Sequence, residues 1–137
     1  MEDKRILTAV IETAENNYAA YIEGLDGVVA TGSTISGIKQ NLAEAIKTLI
    51  QTCEACGCEV PEAIAGDYTI AFRMDVSSLL KIYSGIFTKS GLERLTGINQ
   101  KQLWHYANGK SRPRGPQVKR IEQALHRLGQ ELIAIQL

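Results

Sequence analysis

The 137 residues leave room for one ordinary domain or two very small ones, and 45% hydrophobic against 22% charged residues suits a globular chain with a core to bury. No apolar run approaches the roughly 18 residues of a membrane-spanning helix, and the first five residues lack the apolar stretch of a secretory leader, so a cytoplasmic chain is expected. The formal net charge is zero, which taken alone argues against a nucleic-acid binder. Its distribution does not: residues 1–75 carry 5 basic and 12 acidic side chains, a net of −7, whereas residues 76–137 carry 10 and 3, a net of +7. Such a split marks two modules with different partners.

Arg5 to Thr13 is rich in β-branched and apolar residues and reads as a strand. Asn16-Asn17 is a turn signal, and residues 18–23 then alternate, with Tyr18, Ala20 and Ile22 on one face. Gly24-Leu25-Asp26-Gly27 makes a second turn into a short strand over residues 28–31, so three strands form an antiparallel meander. After Gly32-Ser33-Thr34 the period changes. Ile35, Ile38, Leu42, Ala45, Ile46, Leu49 and Cys53 recur at three- and four-residue steps, predicting an amphipathic helix N-capped by Thr34 and stopped by Gly57. Residues 61–66 read as a loop and residues 67–75 as a fourth strand, giving the order β-β-β-α-β.

Cys53, Cys56 and Cys58 are an odd set, which does not make a disulfide framework. A four-ligand zinc site is not expected either, because His105 and His126 lie far downstream. Cys53 reads as a small core residue and the other two as the end of a helix. No metal or other cofactor is expected.

Residues 17–46, NYAAYIEGLDGVVATGSTISGIKQNLAEAI, resemble the antitoxins of the HicB family, whose pattern is a strand, an acidic turn, a short strand, then G-[DS]-T leading into a helix containing E-A. Glu23 to Gly27 occupies the turn, with Glu23-Gly24 where that family has Pro-Asp; Gly32-Ser33-Thr34 begins the helix, and Glu44-Ala45 is the helix pair. The resemblance implies a partial ribonuclease-H-like fold that binds and masks a HicA-like toxin ribonuclease, with Tyr21, Glu23 and Asp26 as toxin-binding residues. A module of net −7 is electrostatically suited to a basic, RNA-binding partner. An enzyme is not expected: the carboxylates of this half are scattered, whereas two-metal nucleases gather theirs around ions about 4 Å apart, and no nucleophilic triad, HExxH or P-loop pattern occurs.

In the second half, Asp75 caps a helix from Val76 to about Ser84, Thr88 caps one from Lys89 to Leu95, and Thr96-Gly97-Ile98-Asn99 turns into one from Gln100 to about Ala107. The run LTGINQKQLWHYANGKSRPR resembles the phage-repressor (Cro/C1, or XRE) helix-turn-helix family, in which N-G-K-x-x-P closes the recognition helix. The resemblance implies operator binding. Gln100, Lys101, Gln102 and His105 then meet base edges in the major groove, and Lys89, Ser90, Asn99, Lys110, Arg112 and Arg114 lie beside the phosphate backbone. Asn99 also reads as the cap of its helix, and Trp104 as either packed beneath that helix or against the backbone of the duplex.

Pro116 opens a last helix with the stripe Val118, Ile121, Leu125 and Leu128, ended by Gly129. Residues 130–137 alternate as a strand, expected to pair with its copy in a second subunit as a homodimer or higher oligomer. The expected fold class is therefore α+β: a sheet domain over residues 1–75, then an all-α helix-turn-helix domain over residues 76–137 with a terminal β-strand. The expected function is that of a type II antitoxin that neutralises its toxin and represses its own operon. The alternatives are a stand-alone helix-turn-helix regulator whose sheet domain binds a ligand or serves assembly, and a residual nuclease using Asp26 or Glu23.

Overall fold

Leu7, Ala9 and Ile11 are buried and alternate with Ile6, Thr8 and Val10 along β1 (Arg5–Thr13), which places one face of this strand in a core and leaves the other facing away. In the computed structural model, which describes residues 5–137, β1 is an inner strand of a sheet ordered β3-β2-β1-β4. It pairs antiparallel with β2 (Tyr18–Ile22), which pairs antiparallel with β3 (Val29–Gly32), so the predicted meander is present. The fourth strand, β4 (Tyr68–Arg73), lies on the opposite side of β1 and runs parallel to it, Leu7 opposite Ile70 and Val10 opposite Arg73.

A parallel neighbour requires a crossover, and α1 (Ile35–Cys56) supplies it. Thr34 accepts from the Gly37 N–H at 3.0 Å at its start. Ile38, Leu42 and Ile46 are fully buried along the face that the periodicity marked, with Ala20, Ile22, Ala30 and Val28 also buried in the sheet unit. Between α1 and β4, the expected loop contains one 3₁₀ turn, Glu62–Ile64, whose Ile64 is buried.

The chain divides into two compact units, one ending at Met74 and the other beginning at Asp75, within a residue of the boundary drawn from charge. The second unit consists of α2 (Val76–Ile82), α3 (Lys89–Thr96), α4 (Gln100–Ala107) and α5 (Gly115–Ile133). Val76, Leu80, Leu92, Ile98, Leu103, Tyr106, Ala107 and Ile121 form its core. Burying residues such as Leu92, Ile98 and Leu103 contributes about 1.5–3 kcal/mol each, against about 1 kcal/mol for a helix cap. Packing therefore holds the helices together, and the caps at Asp75, Thr88 and Asn99 set where they begin.

The expected terminal strand is absent. Helix α5 runs through Gly129 to Ile133, Ala134 donates to the carbonyls of Gln130 and Glu131, and residues 134–137 are not paired in a ladder. A glycine inside a helix costs only about 1 kcal/mol relative to alanine, and Leu128, Gln130, Glu131 and Leu132 around it are good helix formers. The alternation over residues 132–137 spans too few residues to distinguish a period of 2 from one of 3.6. Helix α2 ends two residues before the expected Ser84: the Ser84 N–H donates to the Lys81 carbonyl at 3.3 Å, and Phe87 donates to the Tyr83 carbonyl at 2.8 Å in a turn across Gly85. Among the described residues, no helix is long and apolar enough to cross a membrane.

Asp75 accepts from the Ser78 N–H at 2.7 Å. That bond, opposed by partial burial and helped by the Ser78 hydroxyl and the charges of Lys81 and Arg112, holds its carboxyl below the usual 3.8. A folded-state value below the unfolded one means that the cap contributes fully above the usual value and is lost as pH falls through the folded one. Asp75→Ala is expected to cost about 1 kcal/mol at neutral pH, and less than a buried cap would because water screens the site. Denaturant melts across an acid titration should show the gap between wild type and variant closing below the ordinary carboxylate value.

Candidate functional site

The turn between α3 and α4 decides where the second of these helices points. Gly97 adopts φ +74°, a left-handed conformation that side chains other than glycine's enter only with strain. Thr96, buried beside it, donates its hydroxyl to the Leu92 carbonyl at 2.7 Å and accepts the Ile98 N–H at 3.1 Å, so the reversal is hydrogen-bonded while Ile98 enters the core. Asn99 then caps α4, accepting from the Lys101 N–H at 2.8 Å. This is the capping role that the sequence offered alongside phosphate contact.

Leu103, Tyr106 and Ala107 form the buried side of α4, which leaves Gln100, Lys101, Trp104 and Asn108 exposed with His105 half-buried beside them. Lys101 is exposed at the helix start, whereas Gln100 is held by Glu93 of α3, whose carboxylate accepts from its backbone N–H at 3.2 Å and from its side-chain amide at 3.5 Å. Gln102 differs. It is half-buried, and its amide nitrogen donates to the Ser111 hydroxyl at 3.0 Å, tying α4 to the basic segment that follows.

That segment folds back along the end of α4. The Asn108 amide donates to the Trp104 carbonyl at 2.8 Å, Gly109 takes φ +71°, and the Lys110 N–H donates to the His105 carbonyl at 2.9 Å. The Lys110 ammonium thereby comes to 4.5 Å from the centre of the Trp104 ring, a contact worth about 0.5–1 kcal/mol at an exposed site. Trp104 is 41% exposed and meets the His105 ring edge-on at 5.4 Å. It is therefore a surface residue of the same face rather than a packing residue beneath the helix. Arg112 and Arg114 are exposed on the same loop. Lys89 and Ser90 open α3, the Ser90 hydroxyl lying 3.3 Å from that of Thr88.

In the sheet unit the expected toxin-binding residues are partly gathered. Helix α1 lies on the side of Leu7, Ala9 and Ile22, so the alternate residues form an open face. Val29, Tyr21, Val10 and Arg73 are consecutive cross-strand partners spanning all four strands. Ile6, 70% exposed, belongs to the same face. Glu23, just beyond β2, pairs with Arg73 at 2.6 Å, an exposed ion pair worth about 0.2–1 kcal/mol. Tyr21 and Glu23 thus share one surface, whereas Asp26 sits exposed in the β2–β3 turn between Gly24 and Gly27, both at positive φ. Sequence reading missed Arg73, Val10, Val29 and Ile6 as members of this face. The available signal was the second apolar phase of β1, in which Ile6 and Val10 alternate with the buried set.

Among the described residues, no three or more His, Cys, Asp or Glu side chains are gathered to hold a metal ion. No known protein family, curated protein or solved structure matches this chain.

Trp104 is the one tryptophan, so its emission reports on this surface alone. Lys110→Met is expected to change that emission and its accessibility to a cationic quencher, while leaving the helical signal in circular dichroism unaltered. Unchanged emission would mean that the ring and the ammonium are not in contact.

Proposed function

We propose that this chain is an antitoxin of a type II toxin–antitoxin system, which neutralises a HicA-like toxin ribonuclease through its sheet unit and represses its own operon through its helical unit. The observation that carries the reading is the surface of α4: a helix set by the Thr96–Asn99 reversal exposes Gln100, Lys101 and Trp104 beside the cations Lys110, Arg112 and Arg114. A helix N-terminus with amide and ammonium groups is suited to base edges in the major groove, and flanking cations are suited to phosphates. The net of +7 over residues 76–137 supplies the attraction. Gln102 and Ser111 hold helix and loop in one arrangement, so Gln102 acts on base recognition mainly by placing its neighbours. The chain works in the cytoplasm on this reading.

Two-fold operators call for two copies. Val118, Ile121, Leu125, Leu128 and Leu132 recur at three- and four-residue steps along α5. Ile121 is buried in the unit's own core, while Leu132 is 57% exposed. In the proposed homodimer the exposed C-terminal half of this stripe packs against its copy, helix on helix.

For the sheet unit, the support is a net of −7 over residues 1–75 and an open face combining Tyr21, Val29 and Glu23. A basic toxin would meet charge of the opposite sign there. The gene next to this one separates the two regulatory readings. A short basic chain with a double-stranded-RNA-binding pattern supports the antitoxin, and its absence leaves a stand-alone repressor.

The DNA claim is tested by titrating the duplex upstream of the chain's own gene and following Trp104 emission. Lys101→Ala is expected to weaken the cognate duplex by about 1–3 kcal/mol and to relax preference at one position, whereas Arg112→Ala weakens every duplex and lowers the salt slope by about one. Equal effects of the two changes on all sequences would overturn the role assignment. Leu132→Glu is expected to halve the particle mass in sedimentation and to reduce operator affinity, with helix content retained; an unchanged mass would remove α5 from the dimer.

A further inference from the structure

Helix α1 ends in a turn that hydrogen-bonds the backbones of two cysteines to each other. The Cys58 N–H donates to the Cys53 carbonyl at 2.9 Å and the Gly57 N–H to the Glu54 carbonyl at 3.4 Å, with Gly57 at φ +70°. This pair of bonds around a left-handed glycine is the Schellman arrangement, in which the residue after the glycine and the one five positions earlier bring their side chains together, ordinarily as an apolar contact. Here both positions are thiols. Standard bond lengths and the 2.9 Å hydrogen bond keep the two Cα atoms within about 6.8 Å even in the most extended case, inside the span that a disulfide accepts. Cys56, at the last helical position, is less suitable as a partner for Cys53. Residues three apart on a helix hold their Cβ atoms about 5–6 Å apart, beyond the roughly 3.5–4.5 Å of a disulfide.

We propose that Cys53 and Cys58 are a reversible thiol modification site, closed by hydroperoxides into an intramolecular disulfide across the end of α1. All three cysteines are free thiols; Cys58 and Cys56 are exposed and Cys53 is half-buried. The exposed Cys58 thiolate attacks one oxygen of hydrogen peroxide. The O–O bond breaks, a sulfenic acid forms, and the departing hydroxide takes up the thiol proton as water. The Cys53 thiolate then attacks the sulfenic sulfur, the S–S bond forms, the S–O bond breaks, and a second water leaves with the remaining proton. The two thiols together lose two electrons, which the peroxide accepts. An added dithiol reverses the reaction by exchange. The ring closes on a turn that already exists, so oxidation leaves the fold of the sheet unit in place and removes the freedom of the last turn of α1 to fray. The site depends only on the geometry of this helix end and stands independently of the toxin and operator proposals.

The test oxidises the purified full chain with hydrogen peroxide, blocks remaining thiols with N-ethylmaleimide under denaturing conditions, and maps the products by mass spectrometry before and after dithiothreitol. The expected result is one blocked cysteine in place of three, a bridge between Cys53 and Cys58, and full recovery on reduction. Cys56→Ser should form the same bridge; Cys53→Ser and Cys58→Ser should each fail to form an intramolecular one. Three blocked cysteines after peroxide treatment, a main product linking Cys56 to either neighbour, or a disulfide between two chains would each overturn the proposal.

Discussion

The helical unit depends on a reversal of four residues between α3 and α4. A chain turning this tightly has to bury its corner to hold the angle, yet a buried corner leaves backbone groups without water. Thr96 resolves the conflict by accepting the Ile98 N–H and donating to the Leu92 carbonyl. Gly97 takes the conformation that other residues resist, and Ile98 can then enter the core. The direction of α4 follows, and with it the set of residues that remain exposed. A polar residue at position 98 would weaken the corner and redirect Gln100, Lys101 and Trp104 together, because all three take their placement from the same turn.

The sheet unit is governed by coverage. One helix can bury one face of a four-stranded sheet, and α1 does so with Ile38, Leu42 and Ile46. The other face carries Ile6, Val10, Tyr21 and Val29 among small residues, which is more apolar than solubility alone would select. The ion pair of Glu23 with Arg73 lies across it. A partner docking there would meet a surface already organised by that pair, so Glu23 is both a charge available for attraction and a group whose orientation Arg73 fixes. The excess of negative charge in this half lies in the turns, the strand ends and the segment after α1, because Glu44 and Glu54 of that helix are balanced by Lys39 and Lys47; such a spread suits long-range attraction more than a single bonded contact.

Most of this architecture was legible because the signals were local. Thr34, Asp75, Thr88 and Asn99 all cap where their side chains and the following period say they should, and Gly57 and Gly97 lie at positive φ at the helix ends. The parallel pairing of β4 with β1 was not legible, because nothing within residues 67–75 says which edge they join. The placement of Gln102 against Ser111 and of Lys110 over Trp104 was equally hidden. Each depends on how the Asn108–Gly109 turn folds back, and a sequence shows that turn but not its direction.

The end of the chain shows how a local signal can mislead. Gly129 reads as a stop, and the residues after it read as alternating, yet α5 continues to Ile133. What decides is the stripe rather than the glycine: Leu125, Leu128 and Leu132 keep the helical period across Gly129, and a strand beginning there would have broken it. Since only Ile121 and Ala124 of this helix are fully buried, the continuation is not explained by packing within the unit. Its last turns gain little from staying helical alone in water, where short unsupported helices are marginal. In the homodimer proposed above, the stripe carried beyond the core is covered by a second apolar surface, since a helical segment of the same chain, related by a two-fold axis, presents a stripe of the same period.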